Sequence, residues 1–316
     1  MEGKIKGYSL VVFSAFLWAT TGIFGGLLLD AGLSSNQVAF LRMFGSSSIL
    51  FLIFVLFKPS NFKIDRKGIL LTMLFGLLGQ ATLNWFYFET LRLTSVSTIT
   101  VFLYTSPAFI ALMAYFIFGE IFDSGKGIAL ILSFGGCFLV STGGDLSNLV
   151  LNLPGILNGL GAGVTYAIFT ILCKYLSDDY NEFTIIFYAM VFGWIFFLPF
   201  SQINGLLTME WSAGMFGTAL MHWIIPTVIG YSVYIKAYTY GIESYRAGIL
   251  ASMEVVFAAF LSFAVFGEKM GMVKIVGILL VMCGASVFAI KLKTKNPGRI
   301  EEFPCVGEDG NLRREK

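Results

Sequence analysis

Apolar residues run through the chain in stretches of roughly 20 positions, each long enough to cross about 30 Å of hydrocarbon as a helix. Charged residues fall mostly between these stretches, and Gly and Pro mark several of the breaks. A single buried core would not be divided so regularly. The interruptions predict ten helices, at about 7–29, 36–57, 68–91, 94–118, 125–143, 153–175, 182–203, 214–240, 244–267 and 271–292. Short connections make consecutive helices antiparallel neighbours or near-neighbours. No soluble domain fits before the tail at 293–316, which is polar, charged and expected to be disordered cytosolic material.

Composition turns this pattern into a class. Of the 316 residues, 57% are hydrophobic and 13% charged, about half the charged fraction that soluble domains carry. The chain is therefore expected to be an integral membrane protein, all-α, with ten transmembrane helices. A net charge of +2 gives no clustered basic face for nucleic acid. Cys137, Cys173, Cys283 and Cys305 have no CxxC or Cys/His spacing and read as reduced, structural residues. The first apolar run is too long for a cleaved signal peptide.

The basic residues set an orientation. With the N-terminus cytoplasmic, 15 of the 21 Lys and Arg fall on inside segments and only Arg92, Lys269 and Lys274 on outside ones. Both termini are thus expected in the cytoplasm of a multi-pass inner (plasma) membrane protein.

A shift of 148 residues lays the sequence on itself. Gly7 meets Gly155, Trp18 meets Tyr166, Gly45 meets Gly193, Lys126 meets Lys274 and Gly136 meets Gly284. Phe118-Gly119-Glu120 recurs as Phe266-Gly267-Glu268. Residues 1–147 and 148–292 are therefore expected to form two five-helix repeats. Five being odd, the second repeat enters the membrane from the opposite side, a 5+5 inverted-topology arrangement suited to a central path opened alternately to either side.

These features together resemble the EamA type of the drug/metabolite transporter superfamily: the small-residue first helix with Trp18-Ala19, Pro107 in the fourth helix closed by Phe-Gly-Glu120, and Glu254 followed by Phe-Gly-Glu268 in the ninth. The resemblance covers roughly residues 7–292. Family members commonly carry Glu-Pro in the ninth helix, where this chain has Glu254-Val255. A proline kink is accordingly expected in helix four and not in helix nine. The resemblance implies secondary transport of small metabolites, often export of amino acids or related compounds.

Few charges lie within the spans. Glu254 is near the middle of helix nine, either a cavity carboxylate facing a substrate ammonium, a proton or a cation such as Lys236, or a structural group. Arg42 in helix two either binds a substrate carboxylate with its planar fork or snorkels, and snorkelling is the stronger reading for Lys236. Trp18 and Tyr166 are repeat-related and should approach one another across the pseudo-two-fold axis. Tyr104 is a further cavity aromatic, as are Trp85, Tyr87, Tyr188, Tyr231 and Tyr234. Gln80 and Asn84, at i and i+4, want partners on one helix face. Pro107, Glu120 and Glu268 are candidates for kink or gate, the two glutamates also for capping. Gly22-xxx-Gly26 and Gly159-xxx-Gly163 predict close helix approach. The single histidine, His222, reads as an interfacial hydrogen-bonding group.

The expected function is a secondary transporter of small organic metabolites, amino acids leading, working by alternating access, proton-coupled or as a facilitator. Nucleotide-derived or drug-like substrates are the alternative. An enzyme or lipid-handling role needs clustered nucleophiles, histidines or metal ligands, which the sequence lacks. No metal or other cofactor is expected. The partners are a small-molecule substrate and the lipid bilayer, with oligomeric state, a homodimer included, left open.

Overall fold

The computed structural model describes residues 2–121, 124–267 and 270–294. Ten long helices occupy them: α1 (Glu2–Asp30), α2 (Ser35–Phe57), α3 (Arg66–Leu93), α4 (Val96–Phe118), α5 (Ser124–Thr142), α6 (Leu153–Ser177), α7 (Glu182–Phe197), α8 (Ala213–Tyr238), α9 (Ser244–Phe266) and α10 (Met272–Thr294). The first nine have the length and apolarity to span a bilayer, and α10 is apolar over Met272–Ser286. The tail beyond Thr294, like Glu268, lies outside the described residues.

Local chemistry sets many of the helix starts. Ser34 and Gln37 form a reciprocal capping box at α2. Asp65, Ser95, Asn152, Asn181 and Ser212 each accept a backbone N–H at the start of α3, α4, α6, α7 and α8. Gly119 and Gly267 end α4 and α9 at φ 65° and 67°, a left-handed conformation that glycine adopts without Cβ strain. These two residues are 148 apart, so the repeat extends to the backbone angles.

Packing follows the same symmetry. The short loops suggest that chain neighbours make the main contacts, but many of the broadest contacts join the two halves. α1 packs on α8 and α9, and its counterpart α6 packs on α3 and α4. Three pairs of counterparts, α2 with α7, α4 with α9 and α5 with α10, touch each other about the pseudo-two-fold axis. On the last pair a Cβ added at Gly136 would stand 2.6 Å from the Gly277 carbonyl, and one at Gly284 would stand 2.9 Å from the Ala129 carbonyl. Shifting each residue by 148 exchanges these two contacts. Phe57 and Phe116, about three-quarters exposed, belong to the apolar outer surface that a bilayer covers.

Helix interruptions also recur at the repeat spacing. A π-helical segment lies at Phe75–Thr82 in α3 and another at Trp223–Ile229 in α8. α4 breaks at Tyr104–Thr105, just before Pro107, and α9 breaks at Ser252. The expected asymmetry, a kink in helix four alone, is thus corrected. Both breaks carry a hydroxyl bonded to a carbonyl of the preceding turn, Thr105 to Phe102 at 2.6 Å and Ser252 to Gly248 at 3.5 Å. Such back-bonding bends helices without proline.

Candidate functional site

A cavity of about 650 Å³ lies between the two repeats. Its lining runs from mid-depth residues such as Trp18, Tyr166 and Glu254 to Leu29, Ser35, Leu91, Val96 and Lys274 at helix ends on the face opposite the N-terminus. The cavity opens toward that face. Below it, Tyr238 donates to Tyr234 at 3.0 Å, Tyr234 reaches Thr170 at 3.4 Å, and Tyr234 is fully buried.

Arg42 projects from the outer half of α2. Its two terminal nitrogens donate to the Tyr231 hydroxyl and to Asn84 Oδ1, each at 3.3 Å. Both acceptors lie just beyond a π segment, on α8 and α3 respectively. Neither is charged. Asn84 is itself held by donating to the Gln80 carbonyl at 2.7 Å.

Glu254 stands on another wall, in the first turn of the half-helix Met253–Phe266 that follows the α9 break. The positive end of that half-helix favours an anion. Tyr87, Tyr104 and Tyr166 line the same cavity, and the Glu254 charge acts on all three. Among the described residues Glu254 forms neither an ion pair nor a hydrogen bond. Arg42 is the cation whose field reaches it. At mid-depth the cavity thus presents a cation, Arg42, and an anion, Glu254, and among the described residues neither is in contact with an opposite charge, while Lys274 lies at the mouth.

The sequence-level candidates divide accordingly. Glu254, Arg42, Trp18, Tyr166, Asn84 and Tyr104 line the cavity. Lys236 does not: it lies in the last turn of α8, its side chain 46% exposed, 3.7 Å from Glu182. It is therefore no counter-ion for Glu254. Gln80 is also absent from the lining, fully buried without a side-chain partner, and a Cβ at Gly193 of α7 would lie 3.0 Å from its own Cβ. The π segment between Gln80 and Asn84 changes the rotation per residue, so the i, i+4 spacing no longer sets one face. Trp18 and Tyr166 do not meet. Phe169 sits between them, its ring 6.1 Å from Trp18 and 5.6 Å from Tyr166. Gly22 and Gly26 face the cavity, with nothing within 4 Å of a Cβ at Gly22, whereas Gly159 and Gly163 pack on Phe102 and Thr105 as a small-residue contact should. Pro107 is buried beside the α4 break.

Glu120 lies at the closed end. One oxygen accepts from Lys174 Nζ at 2.6 Å and from the Ser244 N–H at 2.8 Å, and the other accepts from the Tyr245 N–H at 3.4 Å. It therefore ties the end of α4 to the first turn of α9 and to α6. Tyr87 and Tyr231, both on the longer list of candidate aromatics, line the cavity as well. Sequence reasoning missed Phe169, Lys274 and His222 as lining residues. His222 is 1% exposed, with both ring nitrogens unbonded, where an interfacial hydrogen-bonding group was expected. A polar singleton in an apolar span was its only signal. Among the described residues no group of three or more His, Cys, Asp or Glu could hold a metal ion.

Comparison with known proteins agrees with this architecture. The pattern of the EamA-like transporter family matches twice, at residues 5–142 and 153–290. An uncharacterized inner membrane transporter of Salmonella typhimurium, YicL, is 24% identical over 307 residues, 95% of this chain and 99% of that one. An uncharacterized transporter of Archaeoglobus fulgidus is 25% identical over 89% of this chain and 95% of its own length. YwfM of Bacillus subtilis, also an uncharacterized transporter, is 25% identical over 92% and 95% respectively. A solved crystal structure shares the fold with a TM-score of 0.74 at 15% identity, covering 90% of this chain and 97% of the other.

Proposed function

The chain belongs to the EamA-like transporter family, and on that premise we propose that it carries small zwitterionic metabolites, amino acids and their close relatives, across the membrane by alternating access. One observation carries the reading. Arg42 and Glu254 line one cavity, and neither touches an opposite charge among the described residues. An unneutralised charge at bilayer depth costs about 2.5–3.5 kcal/mol on insertion scales. A ligand with a carboxylate at one end and an ammonium at the other matches both charges at once, where an apolar ligand matches neither.

The repeat supports the transport cycle. Counterpart helices pair about one axis, and both broken helices interrupt at equivalent depth. Exchanging the conformations of the two halves converts a cavity open at one face into one open at the other. The bias of basic residues supports an inner-membrane protein with cytoplasmic termini, its cavity open to the outside in this conformation. Export as the net direction rests on the family resemblance.

The test is counterflow in liposomes loaded with a mixture of unlabelled amino acids. Labelled amino acid should accumulate with the native protein, and Glu254→Gln and Arg42→Gln should each reduce the rate at least tenfold. Full activity in both variants would remove the two residues from the site.

A further inference from the structure

His222 is the cavity residue that neither its sequence context nor its neighbours explain. Most buried side-chain polar groups find a partner, yet both imidazole nitrogens here have none while the side chain lines the cavity. Its backbone is accounted for separately, the His222 carbonyl accepting from Thr227 at 3.1 Å across the π segment. The strain of a missing partner is therefore confined to the ring.

Local packing explains where that ring sits. Trp223, the next residue, lies on Gly45 of α2, where an added Cβ would come within 2.2 Å of the indole. Ser46 also donates to the Trp223 carbonyl at 3.2 Å. These contacts fix the start of the α8 π segment against α2 one turn from Arg42. Both side chains, His222 and Arg42, line the cavity, the imidazole within reach of the guanidinium field. On this side of the cavity there is a cation held only by neutral acceptors and an imidazole with its hydrogen-bonding capacity unused. Trp18 adds an indole N–H without an acceptor, against Tyr231 at 5.4 Å between ring centres.

We propose that His222 and Arg42 together form an oxyanion subsite that binds the carboxylate end of the substrate, with Glu254 taking the ammonium end. The inference deepens the zwitterion reading and assigns the half of the ligand that each wall recognises. A neutral imidazole donates through one nitrogen, and Arg supplies the charged fork. Both nitrogens are shielded in this conformation, so engagement requires the ring to turn. No protein hydrogen bond resists that turn. The subsite selects carboxylates over amides or esters of the same shape.

His222 is the only histidine in the chain, so histidine-selective ¹⁵N labelling of the full-length protein in nanodiscs reports a single imidazole. The probes are L-phenylalanine, L-phenylalaninamide, which lacks the carboxylate, and 3-phenylpropionate, which lacks the ammonium. The imidazole signals should shift with the two carboxylates and stay in place with the amide. His222→Leu should keep the thermal stability of the ligand-free protein, because no protein hydrogen bond is lost. It should weaken L-phenylalanine binding about tenfold or more and leave the amide unaffected, and His222→Gln should restore part of the loss. An imidazole silent toward all three probes, or one that responds equally to acid and amide, overturns the subsite. The mixed amino-acid counterflow assay separates the two readings. Counterflow with a silent imidazole leaves the zwitterion transporter standing without this subsite. Carboxylate shifts without counterflow leave the subsite standing and remove amino acids as the transported substrates.

Discussion

Glu120 offers the sharpest test of how the closed end of the cavity is held. It joins the first repeat to the second through Lys174 at 2.6 Å and the Ser244 and Tyr245 N–H groups at 2.8 and 3.4 Å. Replacement by Gln keeps an acceptor for the Ser244 N–H but removes the charge facing Lys174. Breaking a fully buried pair costs about 3–5 kcal/mol. The Lys174 side chain is 20% exposed and that of Glu120 7%, so the freed ammonium recovers some hydration and we expect about 2 kcal/mol. Loss of the carboxylate charge at the α9 N-terminus adds about 0.3–1 kcal/mol. If these contacts exist only while this end is closed, the variant shifts the closed-to-open ratio by roughly 50- to 150-fold. Spin labels at Asp178 and Thr239, exposed positions flanking the latch, with the native cysteines replaced, measure the opening by electron–electron resonance distances. The expected result is a new, longer distance population in Glu120→Gln and in Lys174→Met, with little further change in the double variant. An unchanged distribution together with lowered thermal stability would refute the latch and make Glu120 a structural strut.

Further expectations follow from packing and from the loops. Gly136→Val places carbon against the Gly277 carbonyl and the Val281 backbone, and should destabilise the protein by about 1–3 kcal/mol or more in detergent melting. Gly22→Ala points into open cavity and should be neutral or stabilising by up to about 1 kcal/mol; similar melting losses in the two variants would count against the assigned packing. At the N-terminal face Asp65 accepts from the Tyr180 hydroxyl at 2.5 Å and the Gly68 N–H at 2.8 Å, which hold its carboxyl below the usual value. Its contribution to stability is then complete above the unfolded pKa of about 3.9 and disappears as the pH falls through the lowered native value. Tyr180→Phe should flatten the acid limb of a melting-temperature profile, and a profile parallel to the native one would contradict the bond. Arg42→Gln should leave ligand-free stability nearly unchanged, since the loss of two bonds to neutral acceptors at 3.3 Å and of a contact with the Tyr231 ring at 6.0 Å is offset by removing a charge from bilayer depth; a large drop in melting temperature would give Arg42 a structural role instead.

Much of the architecture was legible in the chain because it depends on local sequence. Runs of apolar residues specify helices of membrane-spanning length, and a ten-helix, twice-five arrangement follows from a repeat that needs only self-comparison. Gly119 and Gly267 illustrate it: the glycines of two identical tripeptides 148 residues apart adopt nearly identical backbone angles. The depth of Arg42 and Glu254 was readable for the same reason. Which groups meet was not, since it depends on helix rotation and on contacts between halves far apart in sequence. Lys236 and Arg42 were both candidate cations for the cavity, and only packing sends one to Glu182 and the other to the cavity wall. The π segments changed the face of Gln80 relative to Asn84, and side-chain back-bonding, with no proline signal, broke α9 at Ser252. His222 gains its meaning only once Gly45 admits Trp223 and draws α8 onto α2. The sequence determined how many helices cross and at what depth their charges lie; the tertiary structure decided which of those charges share a cavity, because that choice belongs to long-range packing.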